Sequence, residues 1–197
     1  MKALALRKIE KLYFGYEDIA RILNISPESA KVAASRYVKA GILIRIKRNL
    51  YMLFEKWAAM SLEQKFTIAN LIQVPSYISF ITALSYYEIT TQLQQDYIES
   101  VALMRSRAVA IKKTSFQYTK IKPELYFGFK KMRGFFIAEP EKAFVDALYL
   151  HSLGRRSIDI SSLDLDKFDW PVVLQISESF PKRTQDLAQR YEYFRKT

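Results

Sequence analysis

The stretch Ser26-Pro27-Glu28-Ser29-Ala30-Lys31-Val32-Ala33-Ala34-Ser35-Arg36-Tyr37-Val38-Lys39-Ala40-Gly41 decides the N-terminal fold. Ser26 is a hydroxyl N-cap, Pro27 takes the first helical position and Glu28 puts an acid in the first turn. These signals predict a helix over 27–40 that ends at Gly41. On a helical wheel Ala30, Ala33, Ala34 and Tyr37 point one way, and the three alanines are small enough to allow close approach of a neighbouring helix. Glu28, Val32, Ser35 and Lys39 point the other way, flanked by Lys31 and Arg36.

Upstream, 17–23 reads as a short helix with Ile19, Ile22 and Leu23 as its apolar side. It stops at Asn24, which tolerates a left-handed cap, and Ile25 fills the turn. Residues 2–13 are expected to form a further helix, with Ala5, Ile9 and Leu12 on one side and Lys2, Lys8 and Lys11 toward solvent. Downstream, Ile42–Ile46 and Leu50–Phe54 are β-rich runs joined by Lys47-Arg48-Asn49, where Asn49 suits a positive-φ turn position. Two short helices, a tight turn, a helix with a basic outer face and a cation-tipped hairpin make a winged helix-turn-helix. In that reading helix 27–40 enters a major groove, where Ser35, Arg36 and Lys39 reach base edges or phosphates and Val32 meets a thymine methyl. Arg45, Lys47 and Arg48 lie along the backbone or in the adjacent minor groove. Ser26, Glu28, Lys31 and Asn49 complete the expected DNA-contacting set. The same fold also serves as a protein-binding module, which is the alternative for this segment.

Composition narrows the chemistry. The 197 residues are half apolar, with 28 aromatics, one histidine (His151) and no cysteine. Disulfides, thiolate metal sites and thiol nucleophiles are thereby removed, and His-rich zinc sites with them. Five scattered glycines form neither a GxGxxG nor a GxxxxGK[ST] cradle. The net charge of +11 is unevenly placed: residues 1–56 carry +7, 57–104 carry −3, 105–133 carry +8 and 134–197 carry −1. Two basic blocks on a near-neutral chain are the footprint of a polyanion partner, against the plainer reading of solubility alone.

No targeting signal is evident, and the 22 uncharged residues between Lys65 and Glu88 include a polar stripe unsuited to hydrocarbon. The expectation is a cytoplasmic protein with no membrane partner. The fold class is α+β: a winged helix-turn-helix over 1–56, then a mixed α/β domain over 57–197. Helices are expected at 61–72, 79–88 (capped by Ser79), 139–150, 171–180 and 184–195, with strands at 97–104, 108–111, 114–121 and 134–137.

Residues 16–54, with Tyr77-Ile78-Ser79…Ala83-Leu84, Leu125-Tyr126-Phe127-Gly128 and Ala138-Glu139-Pro140-Glu141-Lys142-Ala143…Asp146-Ala147-Leu148, resemble the AbiEi family. These are the antitoxins and transcriptional regulators of abortive-infection, type IV toxin–antitoxin systems active in phage defence. The resemblance implies an autorepressor whose winged helix binds inverted repeats in its own promoter. It also implies a C-terminal domain that counters a nucleotidyltransferase-like toxin without a tight complex. The chain departs from the family pattern at Asn49, where glycine is usual, and at Tyr87-Glu88, where His-Gly is usual.

Several residues invite other chemistry. Asp164 and Asp166, with Asp159 and Asp169 nearby, have the spacing of a two-metal phosphoryl-transfer site, although Ser161-Ser162 supplies no Gly-Ser turn. A Mg-dependent nucleotidyl-transfer enzyme is therefore an alternative, as is a winged-helix scaffold for a protein partner. Glu139, Glu141 and Asp146 can be an acid/base group, or simply complement a helix start and pair with Lys142 at i,i+4 for about 0.3–0.5 kcal/mol. His151 reads as a surface C-terminal cation or cap. Arg105, Arg107, Lys112, Lys113, Lys120, Lys122, Lys130, Lys131 and Arg133 form a possible second basic surface, expected on a single face. The expectation is a non-enzyme without catalytic residues, metal or cofactor, binding operator DNA as a monomer or DNA-induced dimer.

Overall fold

The computed structural model describes residues 2–92, 94 and 96–196, with the backbone alone at 2, 3 and 196. They fall into two compact units that divide between residues 68 and 69, inside a helix. Of the expected strands and helices most are present, with shifts of a few residues at their ends.

The first unit begins with α1 (Lys2–Ala5) and a 3-10 turn at Leu6–Lys8. It continues through α2 (Tyr16–Leu23), α3 (Pro27–Lys39), the antiparallel hairpin β1 (Leu43–Lys47) and β2 (Leu50–Leu53), and α4 (Phe54–Ala58). Local chemistry sets the ends. Asn24 closes α2 at φ 50°, the Ser29 N–H donates to Ser26 Oγ at 3.2 Å to start α3, and Gly41 turns away at φ 72°. Ala30 and Ala34 are fully buried beside Ile19, Phe14, Leu43 and Leu53, with Tyr37 partly buried against them.

The helix expected over 2–13 is corrected: helical structure ends at Lys8. Phe14 instead pairs with Tyr51 on the hairpin, its N–H donating at 2.9 Å and its carbonyl accepting at 2.8 Å. The carbonyls of Ile9, Glu10 and Lys11, left without helical partners, each accept from the Lys56 ammonium at 2.9 Å. Bending the segment this way buries both Ile9 and Phe14, which a straight helix would separate.

Helix α5 (Leu62–Ile72) crosses into the second unit. Then follow β3 (Ser76–Ile78), α6 (Phe80–Tyr86), β4 (Tyr97–Ala102), β5 (Arg107–Ile111), β6 (Thr114–Lys120), β7 (Phe129–Lys131) and β8 (Phe136–Ala138). Helices α7 (Pro140–Ser152), α8 (Trp170–Ser177) and α9 (Lys182–Lys196) complete it. The six strands lie in the order β5-β6-β4-β3-β8-β7, with β4–β6 and β3–β8 parallel and the other pairs antiparallel. Helix α7 is buried at every position from Lys142 to Leu150, and α6, α8 and α9 all pack against it. A helix covered on all sides is the centre of a core, which explains why its sequence is apolar almost all round.

Close approach of α2 and α3 rests on the alanines. Ala34→Leu should therefore lower the unfolding free energy by about 1–3 kcal/mol through overpacking, read as a shifted urea midpoint at unchanged slope.

Candidate nucleic-acid interface

Burying Ala30, Ala33 and Ala34 turns the rest of α3 outward. Glu28, Lys31, Val32, Ser35, Arg36 and Lys39 are all exposed, and Val32 keeps 58% of its surface accessible. Arg36 and Lys39 hold no carboxylate among the ion pairs of the described residues. Lys31 lies 4.7 Å above the centre of the Tyr16 ring. On the hairpin, strand alternation buries Ile44 and Ile46 and sends Arg45 and Lys47 out, with Arg48 exposed at the turn.

Two residues of the expected contact set carry local structure. Ser26 caps α3 and donates its hydroxyl to Ser29 Oγ at 3.1 Å. Asn49 does adopt positive φ, 54°, but its amide turns inward. Its Oδ1 accepts the Tyr16 N–H at 2.8 Å, and its Nδ2 donates to both Glu17 carboxylate oxygens at 3.1 Å. Tyr16 and Glu17 are partners that no local periodicity announces, because the contact spans more than thirty residues. The only signal was an asparagine at a turn position that glycine would fill freely.

The second basic block is not one face. Arg105 and Arg107 flank the start of β5 and Lys120 and Lys122 the end of β6, while Lys112 and Lys113 make the turn between those strands. Lys130, Lys131 and Arg133 belong to β7 and its following turn, at the opposite edge of the sheet. Five strand spacings separate the edges, about 24 Å. Arg107 is also structural: its guanidinium donates to the Ile72 carbonyl at 2.8 Å and lies over Tyr118.

The acidic loop is occupied by its own backbone. Asp159 accepts from Ser161 N–H, Asp164 from Asp166 N–H and Asp169 from Val172 N–H, at 3.2–3.4 Å. Among the described residues no three or more His, Cys, Asp and Glu side chains form a metal-holding group. His151 Nδ1 sits 3.0 Å from the Arg156 carbonyl, an acceptor, so that nitrogen carries the proton.

The Lys142–Asp146 pair expected from its i,i+4 spacing is present, as a fully buried ion pair. Asp146 also accepts from Tyr77 Oη at 3.0 Å and from Ser79 Oγ at 2.8 Å, while Lys142 Nζ donates to Tyr77 Oη at 2.8 Å. Ser79 consequently makes no cap hydrogen bond to α6. Phe127 and Phe180 rings face the ammonium at 5.2 Å. Gly128, at φ 69°, passes so close that a Cβ there would lie 2.8 Å from Lys142 Cγ. Burial pushes the Lys142 ammonium down against the opposing pull of Asp146, and burial with the Asp146 charge pushes the Tyr77 hydroxyl well up. Lysine, tyrosine, serine and aspartate in contact have the composition of an acid–base site. Sealed at zero exposure, this group presents no atom to a substrate; it ties β3 to α7.

Residues 1–53 match the family described as transcriptional regulator, AbiEi antitoxin. Over 94% of this chain and 73% of the other, the fold is similar to the crystal structure of the RV2827C protein from Mycobacterium tuberculosis, with a TM-score of 0.58 at 11% identity. At that identity the likeness is one of fold. No curated protein matches. Among the described residues, no helix is long and apolar enough to cross a membrane.

Removing either half of the buried pair strands the other charge. Lys142→Met or Asp146→Ala should each cost about 3–5 kcal/mol in urea unfolding, and the double variant less than the two losses added. A second outcome concerns acid. Glu17 is held below its ordinary 4.5 by its own backbone N–H and Asn49, and Asp18 below 3.8 by Lys11. Depressed carboxyl pKa values stabilise the fold at pH above the unfolded values, and that contribution disappears as pH falls through the folded ones. Melting temperature should thus be level above about pH 5 and fall below it, with Glu17→Gln flattening part of the fall.

Proposed function

From the AbiEi match over residues 1–53 we propose that this chain is a DNA-binding transcriptional regulator of the antitoxin type. Residues 1–56 act as a winged helix-turn-helix, α3 enters the major groove and the β1–β2 hairpin is the wing. Residues 57–197 form the antitoxin-type portion. The chain binds inverted repeats in its own promoter as a monomer or DNA-induced dimer, acts in the cytoplasm, and counters a co-encoded nucleotidyltransferase-like toxin without a tight complex.

One observation carries the DNA half. An outward helix face bearing Lys31, Arg36 and Lys39 is followed directly by a hairpin bearing exposed Arg45, Lys47 and Arg48. Guanidinium and ammonium groups reach guanine edges and phosphates, and the Val32 isopropyl suits a thymine methyl. The proposed regulatory antitoxin role rests on the family match.

The test separates base readout from phosphate contact on upstream and scrambled duplexes. Arg36→Ala or Lys39→Ala should weaken the cognate duplex by about 1–3 kcal/mol and narrow its lead over the scrambled one. Lys47→Ala or Arg48→Ala should weaken both duplexes alike and reduce the salt slope by about one. Equal losses on both duplexes for all four variants would remove base readout. No mobility shift at ~100 mM salt would leave a protein-binding scaffold instead. Growth rescue on co-expression with an adjacent nucleotidyltransferase gene tests the antitoxin half.

A further inference from the structure

The hairpin turn is tied down by a side chain of its own. Two-stranded hairpins are marginal in water, and a wing tip that sways presents its cations to phosphate only part of the time. Here the turn residue Asn49 reaches back to the first turn of α2. It accepts the otherwise orphaned Tyr16 N–H at 2.8 Å and donates to both oxygens of Glu17 at 3.1 Å. The pair lies close over Gly15, where a Cβ would stand 2.3 Å from Glu17 Oε2 and 3.2 Å from Asn49 Oδ1. Two residues further along the hairpin, the Phe14–Tyr51 backbone pair makes a second attachment. Tyr16 continues the connection, because its ring lies 4.7 Å beneath the Lys31 ammonium of α3.

We infer that the Asn49–Glu17 pair is a clamp that positions the hairpin tip relative to α2 and α3, so that Arg48 and its neighbours meet phosphate as a preorganised group. Asn49 is thus a positioning residue rather than a DNA contact. Glycine at this position would satisfy the positive φ at no steric cost and would make none of these three hydrogen bonds. The inference rests on the DNA-binding reading for its function, and on the geometry above for the clamp itself.

A swapped pair tests it. Asn49→Gly keeps the turn and removes the clamp. Asn49→Asp places two carboxylates face to face, and the double variant Glu17→Gln/Asn49→Asp restores the hydrogen bonds with donor and acceptor exchanged at the wild-type net charge. All four full-length proteins are titrated with cognate and scrambled duplex across a salt series, and their hairpin amides are followed by hydrogen exchange. Asn49→Gly should bind both duplexes about 5–10-fold more weakly, the equivalent of one to two lost hydrogen bonds, with a shallower salt slope and an unchanged preference between duplexes. Asn49→Asp should lose at least as much, and the swapped pair should recover affinity, slope and exchange protection at residues 48–51. Wild-type behaviour of Asn49→Gly overturns the inference, as does a swapped pair no better than Asn49→Asp. If the wild-type chain binds no DNA, the functional reading fails and the positioning role with it. Exchange protection lost in Asn49→Gly and regained in the swapped pair would then still establish the clamp, and its absence would remove the clamp too.

Discussion

Three alanines without side chains beyond Cβ are the constraint on which the N-terminal unit depends. Ala30, Ala33 and Ala34 let α3 lie close on α2, and the same packing turns the charged side chains of α3 outward while Tyr37 and Val38 stay partly buried. The cationic ridge is therefore a consequence of core packing and not a separate decoration. Helix periodicity places Lys31, Val32, Ser35, Arg36 and Lys39 on the far side once the alanines face in. The hairpin obeys the same logic at period two: burying Ile44 and Ile46 commits Arg45 and Lys47 to solvent.

The second unit is organised around a charge rather than around small residues. Fully buried ion pairs are weak sources of net stability, because desolvation offsets most of the attraction. What the Lys142–Asp146 pair supplies is direction. Its partners are Tyr77, in the middle of β3, and Ser79, just after it, so their hydrogen bonds tie that three-residue strand to α7. The close passage of Gly128 over the lysine stem fixes the approach of the 125–128 segment in the same way. Tyr77 and Ser79, Phe127 and Gly128, and Lys142 and Asp146 thus meet at one buried point.

Signals within one element were legible from residues alone. The cap, proline and acid at 26–28, the alanine face, the stop at Gly41 and the asparagine at the hairpin turn all operate over a few residues, and each stands where the local rule places it. What failed was decided by distant partners. Residues 9–13 have helical spacing, yet Phe14 finds a better place beside Tyr51. Lys142 and Asp146 do pair at i,i+4 as their spacing says, but spacing carries no information on burial. Strand β3 is three residues inside a charge-free run, too short for alternation to show. Asn49 was legible as a turn and not as a clamp, because Tyr16 and Glu17 become its neighbours only after the hairpin folds back.

Sheet order also settles how the two basic blocks differ. Charges act together only within about a Debye length, roughly 8–10 Å at physiological salt. The two edges of the sheet lie about 24 Å apart by strand spacing, so Lys130, Lys131 and Arg133 are screened from the cations of β5 and β6. The charge of +8 over residues 105–133 is therefore divided, with six cations on or beside β5 and β6 and three on or just after β7. In the first unit Arg45, Lys47 and Arg48 sit within one strand and its turn, and Lys31, Arg36 and Lys39 within about two and a half turns of one helix. Similar charges in sequence, +7 over 1–56 and +8 over 105–133, are thus arranged differently in space, the second being split between the two edges of one sheet.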